Sequence, residues 1–233
     1  FFKIENFNKF KDKIIHLRIE DFPKELSGTW ERENFQRNYI SKSINNLLDD
    51  DYIIISDVDE IPNLKNLKNF EKYKFTAFQQ SNFCYKFNLK NITYPNWHGS
   101  KLCKKKYLKS PQWLRDIKTK KYPFWRIDLL FSKKKYSNIK MVNDGGWHFS
   151  YLNTPELIEQ KLKSYTHHRE YDLNPIGIEN IKKRIENRES VYNLNLDQKK
   201  NQFSEGVSLD LLAMSELPEY ISENKIKYKN WLD

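Results

Sequence analysis

Two cysteines, Cys84 and Cys103, are all that 233 residues contain. That number excludes a disulfide framework and a cysteine-rich zinc site, and two thiols fit a reducing compartment. Five histidines, most without metal-ligand spacing, argue against zinc as well. Long apolar runs are missing too. The longest aliphatic stretch is Ile53-Ile54-Ile55, far short of the ~20 residues of a membrane span. No charged-then-apolar leader follows Phe1, so the reading is a chain without a signal peptide, cytoplasmic and microbial or viral, whose numbering starts inside a longer product. Arginine is scarce: 8 of the 41 basic residues, against 33 lysines. A nucleic-acid binder usually gathers Arg and Lys on one element. Here lysine is spread along the chain, so the net charge of +10 reads first as a solvated surface and only second as attraction for an anionic ligand. There is no internal repeat and no low-complexity linker.

What is present suits one mixed domain with a substantial core: 38% apolar residues, of which aromatics alone are 15% of the chain. Lys13 to Ile19 is short and β-branched, a strand by composition. Trp30 to Leu48 carries Ile40, Ile44, Leu47 and Leu48 at helical spacing behind Thr29 as N-cap. Tyr52 to Ser56 is apolar without alternation, as a central strand covered on both faces would be. Strand, helix and buried strand form a βαβ pattern, which predicts a parallel α/β sheet. Further strands are expected at Phe75–Gln79, Phe83–Leu89 and Gly146–Leu152, and short or charged helices at Leu64–Phe70 and Ile178–Arg188. A helix opens at Thr154-Pro155-Glu156 and buries Ile158, Leu162 and Tyr165. Residues 90–126 read as irregular, and the tail from Leu217 to Trp231 as docked.

The chemistry concentrates in Asp57-Val58-Asp59-Glu60-Ile61-Pro62, directly after the apolar strand, where open α/β sheets bind ligands. Two acids at i and i+2 share a side of extended backbone. Such hard oxygen ligands suit Mg²⁺ or Mn²⁺ bridging to phosphates. An Asp-x-Asp after an aliphatic run serves nucleotide-sugar transferases and also phosphatases with an Asp nucleophile, here Asp57, although the following Glu60-Ile61-Pro62 disfavours the latter. A second block, Asn143-Asp144-Gly145-Gly146-Trp147-His148, offers close backbone approach, a flat ring for a sugar and a metal-capable imidazole. Tyr94, Trp97, Trp113 and Trp125, among lysines, suit stacking on acceptor sugars; the same mixture could serve a basic module binding single-stranded nucleic acid.

Four blocks together resemble the family 17 glycosyltransferases, the family of β-1,4-mannosyl-glycoprotein 4-β-N-acetylglucosaminyltransferase. They are Trp30 to Asn38, Ile53 to Pro62, Gly146 to Tyr151 with Thr154-Pro155-Glu156 and Lys161, and His168-Arg169-Glu170-Tyr171. The resemblance implies a GT-A-type fold, a mostly parallel central sheet flanked by helices, with the family's first strand upstream of Phe1. The whole chain would be one domain: residues 1–89 for nucleotide and metal, 90–172 for acceptor and sugar, and 173–233 a C-terminal helical region. It implies a metal-dependent inverting transfer, N-acetylglucosamine first among the sugars, from a UDP-sugar to a glycan hydroxyl, with Mn²⁺ or Mg²⁺ and no nucleic-acid partner. Asp59, Asp57 and His148 are then the metal candidates. Asp57, Asp59, Glu60, Arg37, Gly146 and Trp147 are those for the donor, and Trp97, His98 and Trp125 those for the acceptor. The base on the acceptor hydroxyl is expected at Asp144 or Glu156, and His168 closes the site from the C-terminal side.

Overall fold

A computed structural model describes residues 2–26, 28–164, 168–193, 195–196 and 202–233. Among these residues, ten strands make two mixed sheets. The first contains β1 (Tyr52–Ile55), β3 (Phe75–Phe78), β7 (Lys101–Lys104) and β8 (Ile139–Val142), in the order β1-β7-β3-β8. The second contains β2 (Glu60–Pro62), β4 (Gln80–Cys84), β5 (Leu89–Asn91), β9 (Gly146–Ser150) and β10 (Leu209–Leu211), in the order β10-β5-β4-β9-β2, with β6 (Asn96–Trp97) also paired to β4. The helices are α1 (Thr29–Tyr39), α2 (Pro111–Asp116), α3 (Asp128–Phe131), α4 (Pro155–Ser164), α5 (His168–Leu173), α6 (Ile178–Glu186) and α7 (Glu219–Glu223).

The expected mostly parallel sheet is not what forms. Among the described residues only β3–β8 and β4–β9 run parallel; the other pairings are antiparallel. The reason lies in β7, which inserts antiparallel between β1 and β3 from the stretch read as irregular. β1 is therefore an edge strand: Ile53 and Ile55 are buried while Ile54 is half-buried. Residues 14–19 pair with no strand; Ile15 is exposed, and Ile14, Leu17 and Ile19 are half-buried. Helix α1 also stops at Tyr39, continued by a 3-10 turn over Ile40–Ser43, and its cap is Gly28, whose amide donates to Glu31 Oε2 at 3.1 Å.

The two sheets meet where β3 runs into β4 and β8 into β9. Gln79 donates to the Val142 carbonyl and accepts from the Gly145 amide, so Asn143-Asp144-Gly145 bulges out opposite it. Gly146 has φ +128°, and a Cβ there would press on the Ile61 carbonyl and lie 2.8 Å from the Asn63 amide. This close approach lets β2 pair with β9 in the register Glu60↔His148, Ile61↔Trp147 and Pro62↔Gly146.

Helix α4 forms as its sequence predicts, with Thr154 Oγ1 accepting from the Leu157 amide and Ile158 and Leu162 fully buried. They pack with Tyr85, Leu89, Ile181 and Val191 beneath the second sheet, and truncating either to Ala costs about 2–5 kcal/mol. Tyr165 lies outside the described residues. A second cluster, Ile53, Ile55, Phe75, Cys103 and Leu114, fixes α2 against the first sheet. The tail docks through Leu217 and Ile221 on Phe83 and Phe149. Both cysteines are free and buried, and burial pushes each thiol up to about 12.

Candidate functional site

The Asp57–Glu60 segment is a turn that carries the chain from the edge of the first sheet to the edge of the second. The Glu60 amide closes it on the Asp57 carbonyl at 3.1 Å. Val58 stands fully exposed at its tip. Asp57 and Asp59 are thus not alternate residues of a strand: they line one cavity but meet different cations.

Asp57 faces α1 and α2. Arg37 of α1 reaches it at 3.1 Å while holding Glu33 at 2.9 Å, and Arg115 of α2 reaches it at 2.6 Å. Gln112 accepts from Arg37 as well. Burial works against the Arg37 charge, but Asp57 and Glu33 outweigh it and the guanidinium is held above its ordinary value.

Glu60 is buried below the cavity floor. It accepts from Arg115 Nη1 and Nη2 at 2.7 and 2.9 Å, Trp97 Nε1 at 2.6 Å, Ser100 Oγ at 3.1 Å and the Asp57 amide at 3.1 Å. Burial pushes its carboxyl up; Arg115, Trp97 and the Asp57 amide together pull it further down, below the ordinary range. Glu60 therefore holds Arg115, Trp97 and the turn in place, and it is absent from the lining of the cavity.

Asp59 faces β9 and α4, with His148 Nε2 at 3.8 Å and Lys161 Nζ at 3.9 Å. His148 is held at one face and one edge. Its ring stacks on Trp97 at 4.4 Å and 12°, and Nδ1 meets Asn82 Oδ1 at 2.9 Å. Asn82 Nδ2 donates to the Tyr94 carbonyl, which orients the amide so that His148 Nδ1–H is the donor. Burial lowers the imidazole pKa, against the pull of Asp59 and Glu60. The Nε2 edge of the ring faces Asp59.

The cavity above these groups has a volume of about 730 Å³. Its lining carries four basic side chains (Arg32, Arg37, Arg115, Lys161) and four acidic ones (Glu33, Asp57, Asp59, Asp116), together with Trp30, Trp97, His148, Tyr151 and Tyr192. A second cavity of about 790 Å³ adjoins it across Glu33, Gln36, Arg37, Asp57 and Asp59 and is walled by residues 16–19.

The family profile of glycosyltransferase family 17 matches residues 2–233. The chain belongs to glycosyltransferase family 17. No curated protein and no solved structure matches it. As a family 17 glycosyltransferase it takes a sugar donor and a glycan acceptor, and among the described residues no helix is long and apolar enough to cross a membrane.

Several residues singled out in the sequence meet at this cavity: Arg37, Asp57, Asp59, Trp97 and His148 line it, with Glu60 beneath. Others stand apart. Asp144 is exposed on the bulge at φ +46°, and its carbonyl accepts from Asn66 Nδ2. Glu156 is exposed in the first turn of α4, where its own backbone amide and Thr154 lower its pKa. Trp147 donates to the Glu216 carbonyl at 3.1 Å and packs under the tail. Gly146 abuts Ile61, His98 is half-buried behind the floor, and Trp125 lines neither cavity. The His168 side chain lies outside what is described. Sequence reasoning passed over Arg115, Gln112 and Asp116. Ser110-Pro111, an N-cap followed by proline at the first helical position, was the signal for their helix.

Among the described residues, no three His, Cys, Asp or Glu side chains are placed to hold a metal ion. Mg²⁺ and Mn²⁺ sites on nucleotide substrates need fewer, because phosphate oxygens and waters fill the rest of the shell. Asp59 with His148 Nε2 fits that use. The second nitrogen of His148 is already committed to Asn82, as metal-binding histidines usually require. Asp57 fits it poorly, both oxygens being engaged by arginines.

Proposed function

We propose that this chain transfers a sugar, N-acetylglucosamine first among the candidates, from a UDP-sugar to a glycan hydroxyl with inversion, assisted by Mn²⁺ or Mg²⁺ and on a donor-binding part of GT-A type. The observation that carries the reading is charge balance. Four basic and four acidic side chains line the cavity. A nucleoside diphosphate brings uncompensated negative charge into it, and a divalent cation between Asp59 and the diphosphate restores the balance. The ion, when bound, would supply Lewis-acid stabilisation of the leaving diphosphate.

The protein's own groups do the rest. Arg37 and Arg115 hold Asp57 and the turn rigid, which keeps Asp59 aimed into the cavity. Trp97 and Trp30 offer faces for sugar or base. The adjoining cavity walled by residues 16–19 has room for the nucleoside. A base must stand within hydrogen-bond reach of the acceptor hydroxyl. Asp144 and Glu156 stand outside the cavity, so the role falls to a lining carboxylate. We assign it to Asp116: Glu33 and Asp57 are held by Arg37, whereas Asp116 is held by Gln112 and by the half-exposed Lys134. The alternative in which Asp57 attacks a phosphate as nucleophile fits poorly with its two arginine partners.

UDP with Mn²⁺ should raise the thermal midpoint of the protein, and Asp59→Ala should remove the shift. An unchanged midpoint for the unsubstituted protein across UDP, GDP and their sugars would refute the reading.

A further inference from the structure

Residues 118–135 project from the site's rim as an uncovered apolar tip between two lysine clusters. Phe124, Trp125, Ile127, Leu130 and Phe131 are between 68% and 87% exposed. Phe124 and Trp125 contact each other edge to face at 5.2 Å, and none of the five belongs to a buried cluster. Lys118, Lys120 and Lys121 precede the tip, and Lys133, Lys134 and Lys135 follow it. Asp128 is the one acid of the segment, and Arg126 and Lys135 already pair with it. The stem is held firmly: Trp113 Nε1 donates to the Lys133 carbonyl and the Lys118 amide to the Lys134 carbonyl, each at 2.8 Å. Lys134 Nζ lies 2.6 Å from Asp116. The segment is thereby fastened to α2, the helix that carries Gln112, Arg115 and Asp116 to the cavity.

We propose that this segment docks the protein on the surface of an anionic lipid bilayer. An apolar tip rich in Trp, Phe and Leu enters the boundary between headgroups and acyl chains, while flanking lysines meet anionic headgroups. The charge pattern selects this partner over others. Protein–protein interface cores are depleted in lysine, yet this tip is bracketed by it on both sides. Single-stranded nucleic acid stacks on aromatic faces, and the aliphatic Ile127 and Leu130 offer it none. Large apolar side chains left together on a monomer's surface usually mark an interaction site. Docking here needs neither donor nor metal, and it is independent of the reading given for the cavity.

Co-sedimentation of the whole protein with vesicles tests this. Equimolar phosphatidylcholine–phosphatidylglycerol vesicles should bind it at least about tenfold more tightly than pure phosphatidylcholine, with binding weakened by salt. The triple variant Phe124→Ser/Leu130→Ser/Phe131→Ser should lose at least about tenfold in vesicle affinity with an unchanged thermal midpoint, since these side chains are uncovered. Lys120→Gln/Lys121→Gln/Lys133→Gln should lose the preference for the anionic vesicles. Equal partitioning of the unsubstituted protein onto both vesicle types, or no effect of the serine triple, would overturn the proposal. So would a concentration-dependent dimer that the serine triple dissolves, which would make the tip a contact between copies. A protein that binds anionic vesicles but shows no response to UDP and Mn²⁺ would leave this proposal standing and remove the one made for the cavity.

Discussion

Replacing Arg115 by methionine isolates the interaction that fixes the site's floor. Arg115 is 10% exposed as a side chain and Glu60 is fully buried. Among the described residues, two of the five hydrogen bonds to the Glu60 carboxylate, and its only counter-charge within ion-pair distance, come from that guanidinium. In the variant a buried carboxylate keeps Trp97, Ser100 and the Asp57 amide but has no cation. Breaking a buried pair in this way costs about 3–5 kcal/mol. The second loss, at Asp57, adds little, because that group is about one-third exposed and keeps Arg37. For a chain of this size roughly 2–4 °C of midpoint accompanies each kcal/mol, so a drop of roughly 6–20 °C is expected.

The pH dependence gives the sharper test. In the unsubstituted protein the Glu60 pKa is lowered from 4.5, so its contribution is present above that value and disappears as pH falls through the folded-state pKa. Without Arg115, burial becomes the dominant influence and the folded-state pKa rises above the unfolded one. The variant's stability then increases relative to the parent as pH falls from about 7 to about 5, because protonation relieves the uncompensated charge. The double variant Arg115→Met/Glu60→Gln should recover most of the loss. Urea denaturation of the three proteins at both pH values is the assay. A single-variant loss under about 1 kcal/mol, or one equal at both pH values, would refute the account of Glu60 as a charge-paired anchor.

Gly146→Ala should cost more than about 2 kcal/mol, since the new Cβ meets the Ile61 carbonyl at a φ that L-residues rarely adopt; an unchanged denaturation midpoint would show that β2 can move away. Lys101 donates to the carbonyls of Arg115 and Ile117, and burial, then the Arg115 charge, push its amine down to about 8. Its folded state therefore binds fewer protons than the unfolded one between about 8 and 10.5, so stability relative to Lys101→Met should rise with pH across that window. A stability difference independent of pH there would mean that Lys101 stays charged.

Local signals in the sequence survived the passage to structure, and long-range ones did not. Thr154-Pro155 started α4, and the short run after Gly146 made β9, because cap, proline and pleat act over a few residues. The stretch around Ile14–Ile19 has the composition of a strand yet forms none: β-propensity measures fit to a neighbour, and among the described residues no strand pairs with it. Lys101-Leu102-Cys103-Lys104 looks too polar for a strand flanked on both sides. It becomes one because the Lys101 amine finds carbonyls on α2 and Lys104 reaches Asp50 at 2.8 Å. Missing β7 is what turned a mixed sheet into an expected parallel one. Within the site, Asp57, Asp59, Glu60, Arg37, Trp97 and His148 were legible as residues that chemistry would want, but their partner Arg115 was not. It lies 55 positions beyond Glu60, in a stretch read as irregular, and nothing local marks an arginine as the counter-ion of so distant an acid.

The surplus of positive charge takes on a location once the cavity is counted. The lining is balanced, so the net +10 is carried elsewhere. Residues 118–135 alone hold six lysines and one arginine against one aspartate. Apart from Lys134, which pairs with Asp116 of the lining at 2.6 Å, charge fixed there acts on the proposed anionic donor through solvent, where screening sets in beyond about 8–10 Å. It can speed the donor's approach without altering the transition state inside a neutral cavity. For donor turnover this predicts that kcat/KM falls with added salt while kcat stays level, and that Lys120→Gln/Lys121→Gln/Lys133→Gln flattens the salt dependence. A kcat that falls in parallel with kcat/KM would place the sensitive charges among Arg37, Asp57, Arg115 and Lys161 instead, and the surplus lysines would have no part in it.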